Sequence, residues 1–210
     1  SMERMLAYFI YFLGGRLTQR QLRELDFVSL LHTILSLPPE EAKRICAHLD
    51  PMDKNHRKLL RNDLLGELIH KYPGQKKQLT QAYERCMYRY LGKIYEEILD
   101  PESELRQFPQ NLVDGYQGQL NARMLIRYLI EEKKGYSIDY IKKHLGEGKF
   151  DVAFFAREKL GGMFYTAYAN SPSQAMSDYL LNHPDENVRR EFRGLRIYHF
   201  PEVNFLWTRS

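Results

Sequence analysis

The chain has 210 residues, 43% of them hydrophobic and 28% charged, an ordinary balance for a folded globular protein. That length buries a core in one larger or two small domains without disulfide or metal staples. The net charge of +4 is too small to demand a polyanionic partner.

Residues 5–13, MLAYFIYFL, form an apolar run of nine, about half of the ~20 residues a membrane span needs. A buried first helix is the expected reading. From Leu17 to Leu37, Leu22, Leu25, Val28, Leu31 and Ile34 recur every three residues with Leu30 and Leu35 beside them, which predicts one amphipathic helix. Pro38-Pro39 stops it. Pro39 with Glu40 and Glu41 then opens another, because proline suits the first turn and acids the positive end of the helix dipole. Its core residues are Ile45 and Leu49, and Asp50-Pro51 ends it.

A basic helix is predicted over Lys54–Tyr72, with Leu59, Leu60, Leu64, Leu65, Leu68 and Ile69 inward. Pro73-Gly74 breaks it. The longest predicted helix, Lys76–Leu99, shows an inward stripe of Leu79, Tyr83, Cys86, Tyr90, Ile94 and Ile98. Asp100-Pro101 closes it, and the polar stretch to Phe108-Pro109 marks a boundary between subdomains 1–100 and 101–210. The second subdomain opens with a helix from about Asn111 into Lys134. Gly135 ends that helix and Ser137 caps the next. Ser171-Pro172-Ser173-Gln174 is a capping box with proline at the first helical position, and Pro184-Asp185-Glu186 starts a helix through Arg193. After Gly194, RIYHF and VNFLW are aromatic and β-prone. The predicted fold is therefore all-α: two packed helical subdomains with a short β-prone C-terminal segment.

Residues 123–161 read as three short helices broken by turns. The spacing of Ile141, Leu145-Gly146 and Val152 resembles the helix-turn-helix and winged-helix domains. In them, these positions hold the first helix's core residue, the turn glycine and the second helix's first core residue. Met124, Leu125, Tyr128 and Leu129 of the helix ahead would pack across the pair. The resemblance implies a second helix that enters the major groove and reads bases. With Val152, Phe155, Ala156 and Lys159-Leu160 inward, its outward face would show Asp151, Ala153, Phe154, Arg157 and Glu158. Two acids against one arginine suit a phosphate backbone poorly, and an exposed Phe154 suits a protein groove better. Lys142, Lys143 and Lys149 could touch phosphate without reading sequence.

The segment 54–89 carries nine cations against three acids, a net +6. Lys54, Arg57, Lys58 and Arg61 recur at helical spacing, as do Arg85, Arg89 and Lys93, with Lys76 and Lys77 between. These ridges could merge into a surface for nucleic acid or an acidic partner, with Tyr83, Tyr88 and Tyr90 nearby for stacking. The alternative is a solvated face balanced by acids elsewhere. Arg189, Arg193 and Arg196 share one helical face and could clamp a phosphate or carboxylate, unless Glu186 and Glu191 pair with them. Trp207, the only tryptophan, is a candidate interface anchor.

Signals for chemistry are few. Glu67 and His70 have the i, i+3 spacing of a di-iron motif, without the second motif such sites need. Cys46 and Cys86 are too few and too far apart for a disulfide framework or zinc site, and read as buried thiols in a reducing cytoplasm. No phosphate-binding glycine loop or nucleophile elbow is present. The expectation is a cytoplasmic, non-catalytic macromolecule-binding protein without cofactor or metal. It would act as a regulator or adaptor through Phe154, Arg157, the arginine cluster and Trp207. Two alternatives stay open: a nucleic-acid-binding protein using 54–89 with the helix-turn-helix-like unit, and an enzyme of unrecognised type.

Overall fold

The computed structural model describes residues 18–194. The predicted first helix, the β-prone C-terminal segment, Arg196 and Trp207 lie outside them. Among the described residues the fold is all-α with no strand, and two compact units divide between Asn121 and Ala122.

The first unit begins with α1 (Gln19–Glu24) and α2 (Phe27–Leu35). The single helix expected over 17–37 is thus two, because Asp26 caps the second. Its carboxylate accepts the Val28 and Ser29 amides in place of a continuing turn. Then come α3 (Pro39–Ala47), opened by the predicted proline and acids, and the four-residue α4 (Lys54–Arg57), tightened into a 3₁₀ turn over Lys58–Leu60. The basic helix expected over 54–72 is also broken. Asn62 and Asp63 take left-handed backbone, after which α5 (Leu64–Lys71) starts afresh. The predicted core leucines Leu59, Leu60, Leu64, Leu65 and Leu68 are buried on both sides of the break. The long helix α6 runs Lys76–Leu99, and every residue of its predicted stripe is buried.

Asp63 is the reason the break holds. One of its carboxylate oxygens accepts both the Gly66 amide that begins α5 and the Gln117 amide that begins α7 (Gly115–Arg127). Gln117 in turn accepts the Leu65 amide and donates to the Leu59 carbonyl. One turn on, Asn121 donates to the Leu60 and Leu112 carbonyls and accepts the Tyr83 hydroxyl at 2.7 Å. Gln117 and Asn121 are 1% and 0% exposed, and the two amides satisfy backbone groups that the broken helix leaves open. Gly66 and Gly115 are required because a Cβ at either would overlap the Asp63 carboxylate. At Gly118 it would overlap the Val113 backbone.

The polar stretch after Asp100 packs into this first unit. Phe108 stacks on Tyr95 with ring centres 6.0 Å apart, Leu112 is buried, and the Gln110 carbonyl accepts from Arg61. The compact units therefore divide inside α7 rather than near residues 100–110.

The second unit starts in α7, whose last turns widen into a π-helix over Tyr128–Lys133. Gly135 follows with φ +63°. Next are α8 (Ile138–His144), capped by Ser137 as predicted, a 3₁₀ turn over Leu145–Glu147, and α9 (Val152–Arg157), capped by Asp151. The rest is α10 (Gly161–Tyr168), α11 (Pro172–Leu181), capped by Ser171, and α12 (Glu186–Glu191), capped by Asp185.

Candidate functional site

The densest set of polar side chains in the second unit went unread in the sequence. Arg123, Arg127 and Glu131 fall at i, i+4 and i+8 on α7 and its π-helical end. Asp178, Tyr179, Asn182 and His183 supply matching i, i+4 pairs from α11 and just beyond. Arg123 donates to Asp178 Oδ1 at 2.9 and 3.1 Å, and Tyr168 donates to Oδ2 at 2.7 Å. Glu131 accepts from Tyr179 at 2.7 Å and from Arg127 at 3.2 Å, and its Oε1 lies 2.5 Å from His183 Nε2. His183 Nδ1 accepts the Asp185 amide, which fixes the tautomer: the proton sits on Nε2 and points at Glu131. Burial pushes the Glu131 carboxyl up, but hydrogen bonds from His183 and Tyr179 outweigh it and leave the carboxyl below its ordinary value. Both imidazole nitrogens are committed, so this His–Glu pair has no free nitrogen for proton transfer. The arrangement holds α7 to α11. A π-helix often marks a functional position, and here it carries Glu131, which meets Tyr179 and His183.

The central hairpin corrects the sequence reading of its faces. Phe154 is 5% exposed and Val152 37%, the reverse of the expected phase. The Asp151 cap turns Phe154 inward by accepting its amide, and Phe154 then packs edge-on against Phe150 and Phe155. Its candidacy as an exposed protein anchor is withdrawn. Ala156 and Lys159 are likewise outward, together with Arg157. Tyr136, ahead of α8, stacks on Tyr140 at a centre distance of 4.2 Å, and His144 lies tilted against Tyr140 at 4.3 Å, with the Lys149 ammonium 4.9 Å from the Tyr140 ring. These rings occupy one another's faces. Lys142 pairs with Glu191 at 2.8 Å and Lys143 is exposed. Arg189 and Arg193 both pair with Glu186, which is the ion-pair alternative to a ligand clamp.

In the first unit the cations of the basic segment are largely engaged with their own chain. Arg57, Arg61 and Lys93 donate to the carbonyls of Pro51, Gln110 and Ala47. Lys58, Lys76 and Arg89 lie over the rings of Phe27, Tyr116 and Tyr88. Lys54, Lys77 and Arg85 are exposed. Tyr83, Tyr88 and Tyr90 are buried and offer no ring face to a base. Cys46 and Cys86 are buried free thiols, as expected. His70, on the exposed side of α5, gains no metal partners, and no group of three or more His, Cys, Asp or Glu among the described residues could hold a metal ion. Among these residues, no helix is long and apolar enough to cross a membrane.

One surface is unusual for what it lacks. The helix α10, GGMFYTAY, carries no charged residue. Met163, Phe164 and Tyr168 are buried, while Gly162, Tyr165 and Thr166 face outward, and Tyr165 is 67% exposed. Gly161 sits against Ala156 of α9, and Tyr165 stands one turn further along the same side of α10. With the outward Val152, Ala153 and Ala156, these residues make an uncharged strip bordered by Asp151, Arg157 and Lys159. Helix outer faces are ordinarily charged or polar. The strip was legible in one respect: between Lys159 and Asp178 the sequence holds no Asp, Glu, Lys or Arg.

Residues 91–183 are similar to the family described as "Protein of unknown function (DUF4046)". The match runs from the second half of α6 to His183, and so takes in the Arg123–Asp178 and Glu131–His183 ties together with the uncharged strip. No curated protein and no solved structure matches the chain.

Proposed function

We propose that this chain is a non-catalytic helical binding protein that works through protein–protein contact, with the α9–α10 strip as the contact surface. The observation that carries this reading is Tyr165, a large amphipathic ring two-thirds exposed on a helix without charge. Interface centres are depleted of charge and enriched in tyrosine, with charged residues at the rim. The matching partner presents an apolar surface, since a charge pressed against this strip would be desolvated without a counter-ion. The engagement of His183, Glu131, Arg123 and Asp178 with one another supports the non-catalytic part of the reading.

The test is a photo-crosslinking amino acid at the neighbouring outward position 166, carried once in the chain with Tyr165 and once in Tyr165→Glu. The expected result is one specific crosslinked protein from the source cell, lost on Tyr165→Glu with Tm unchanged. Equal recovery with the variant overturns the proposal.

The nucleic-acid reading retains one observation, the exposed Lys54, Lys77, Arg85 and Lys143. The helix-turn-helix resemblance enters on the same terms. The outward side of α9, Val152, Ala153, Ala156 and Arg157, carries one cation, which suits a protein better than a phosphate backbone. A binding constant for single- or double-stranded nucleic acid that falls steeply with salt would favour this second reading.

A further inference from the structure

The strip of α9 and α10 is shaped and charged to fit a copy of itself. Tyr165 is its tallest side chain, 67% exposed. The outward Gly162, Ala153 and Ala156 form a low centre beside that ring. Among the described residues nothing outside its own turn stands within 4 Å of where a Cβ on Gly162 would project. A surface with one knob and one hollow is complementary to its own copy turned about a two-fold axis, each ring filling the other's hollow.

The border has the same property. Asp151 caps the start of α9, where one carboxylate oxygen accepts the Phe154 amide at 2.7 Å, and Arg157 ends the helix. Both are exposed, and neither has an ion pair among the described residues. The neighbouring acid, Glu158, is paired with Lys134. Elsewhere on the unit, Lys142, Arg189 and Arg193 are paired with the chain's own acids. With α9 antiparallel to its own copy, Val152 meets Ala156 of the second copy and Asp151 meets Arg157 of the second copy, and the symmetry repeats both contacts.

We propose that the occupant of the strip is a second copy of this chain, joined as a two-fold dimer through α9 and α10. The inference rests on the strip being a contact surface and names what covers it. The strip itself meets the demand that the partner be apolar at its centre, since an uncharged face leaves no charge of the other copy desolvated. Asp151 and Arg157 stand at the rim, where charge pairs set orientation more than affinity. They select the antiparallel direction. So short a strip makes a small interface, and the dimer dissociates on dilution.

The test is sedimentation equilibrium of the purified full chain over a concentration series. A photo-crosslinking amino acid at position 166 accompanies it, in a mixture of isotope-labelled and unlabelled chain. The expected result is a monomer–dimer equilibrium, with crosslinks that join a labelled to an unlabelled copy. Tyr165→Glu should weaken the dimer about a hundredfold or more. Arg157→Glu, which sets like charges together at both ends, should weaken it about tenfold. Adding Asp151→Asn to Arg157→Glu should recover part of that loss, because Asn keeps the cap of α9 and removes the repelled charge. A chain that is monomeric throughout the series without a mixed crosslink overturns the proposal, as does a dimer that Tyr165→Glu and Arg157→Glu leave intact. A crosslink confined to one copy, reaching residues 195–210, overturns it by giving the strip to the chain's own tail. A monomeric pure chain that still captures a different protein in the cell, with capture lost on Tyr165→Glu, excludes the second copy and leaves the strip a contact surface.

Discussion

In the first unit the fully buried polar side chains of the α5–α7 tie are neutral: Gln117 and Asn121 satisfy the Leu59, Leu60, Leu65 and Leu112 backbone groups and the Tyr83 hydroxyl. In the second unit the corresponding work is done by charge-assisted hydrogen bonds at partly wet positions. Arg123–Asp178 and Glu131–His183 join α7 to α11, with side-chain exposures between 7% and 25%. The difference follows from what each tie has to satisfy. A broken helix leaves amides and carbonyls open, and an amide side chain both donates and accepts. Two intact helices leave no backbone group open between them, and charge-assisted hydrogen bonds then supply orientation. The first tie fixes a chain path; the second fixes a helix pair.

The sharpest way to break the first tie is Gly118→Ala. The new methyl meets the Val113 backbone, which has no flexible end to move, so the cost is expected at about 4 kcal/mol, in the exceptional range for a point change. Urea unfolding would measure it. A loss under about 1 kcal/mol would mean that the Val113 turn relaxes.

The second tie should break less severely. Asp178→Ala removes the acceptor shared by the Arg123 guanidinium and the Tyr168 hydroxyl, for an expected loss of about 3 kcal/mol. Removing Arg123 as well, in Arg123→Met with Asp178→Ala, should restore part of that loss, because a part-buried cation deprived of its carboxylate costs more than losing the pair. A double-mutant cycle tests this, and additivity within about 0.5 kcal/mol would show the pair to be uncoupled.

A third change separates core from surface. Phe154→Ala should cost about 4 kcal/mol, whereas Tyr165→Ala should stay within about 0.5 kcal/mol. Thermal unfolding of the two variants side by side checks both, and a similar loss in each would return Phe154 to the exterior.

How much of this was legible depended on how local the signal is. Ser137, Gly135, Ser171 and the Pro39-Glu40-Glu41 start were readable, because caps act on amides two or three residues away. The stripe of α6 was readable because 24 residues repeat the helical period many times. Asp26 and Asp63 were missed as breaks: each sits inside an unbroken apolar rhythm, and only its carboxylate's partners show that the chain turns there. On α9 Phe155 lies inward and Ala153 and Arg157 outward as expected, whereas Val152, Phe154 and Ala156 were misassigned, because six residues are too few to fix a phase and the cap decided it. Arg123, Glu131 and Asp178 show their helical spacing in sequence, but spacing names a face and not what stands opposite it.

The mildest expected effect, and the one that separates the units by condition rather than by mutation, is pH. His56 in the first unit is 3% exposed and accepts the Asp50 amide on Nδ1. Burial holds its imidazole below the ordinary value of 6.5, although Asp53 and Asp50 pull the other way. The unfolded chain therefore binds this proton more readily than the folded one. The stability His56 contributes is complete above pH 6.5 and declines as pH falls below it toward the folded value. Glu131 in the second unit is held below 4.5 by His183 and Tyr179 against its burial. Its contribution is complete above pH 4.5 and is lost only as pH falls further, through the folded value. Acidification should thus weaken the first unit before the second. Hydrogen exchange at pH 7, 5.5 and 4 would register protection falling first around residues 50–57 and later around 127–131 and 179–183. His56→Gln should remove the early loss and leave the late one, and Glu131→Gln should do the reverse. Simultaneous loss in both regions at every pH would show that the two units unfold as one and that the difference in their polar chemistry has no separate thermodynamic consequence.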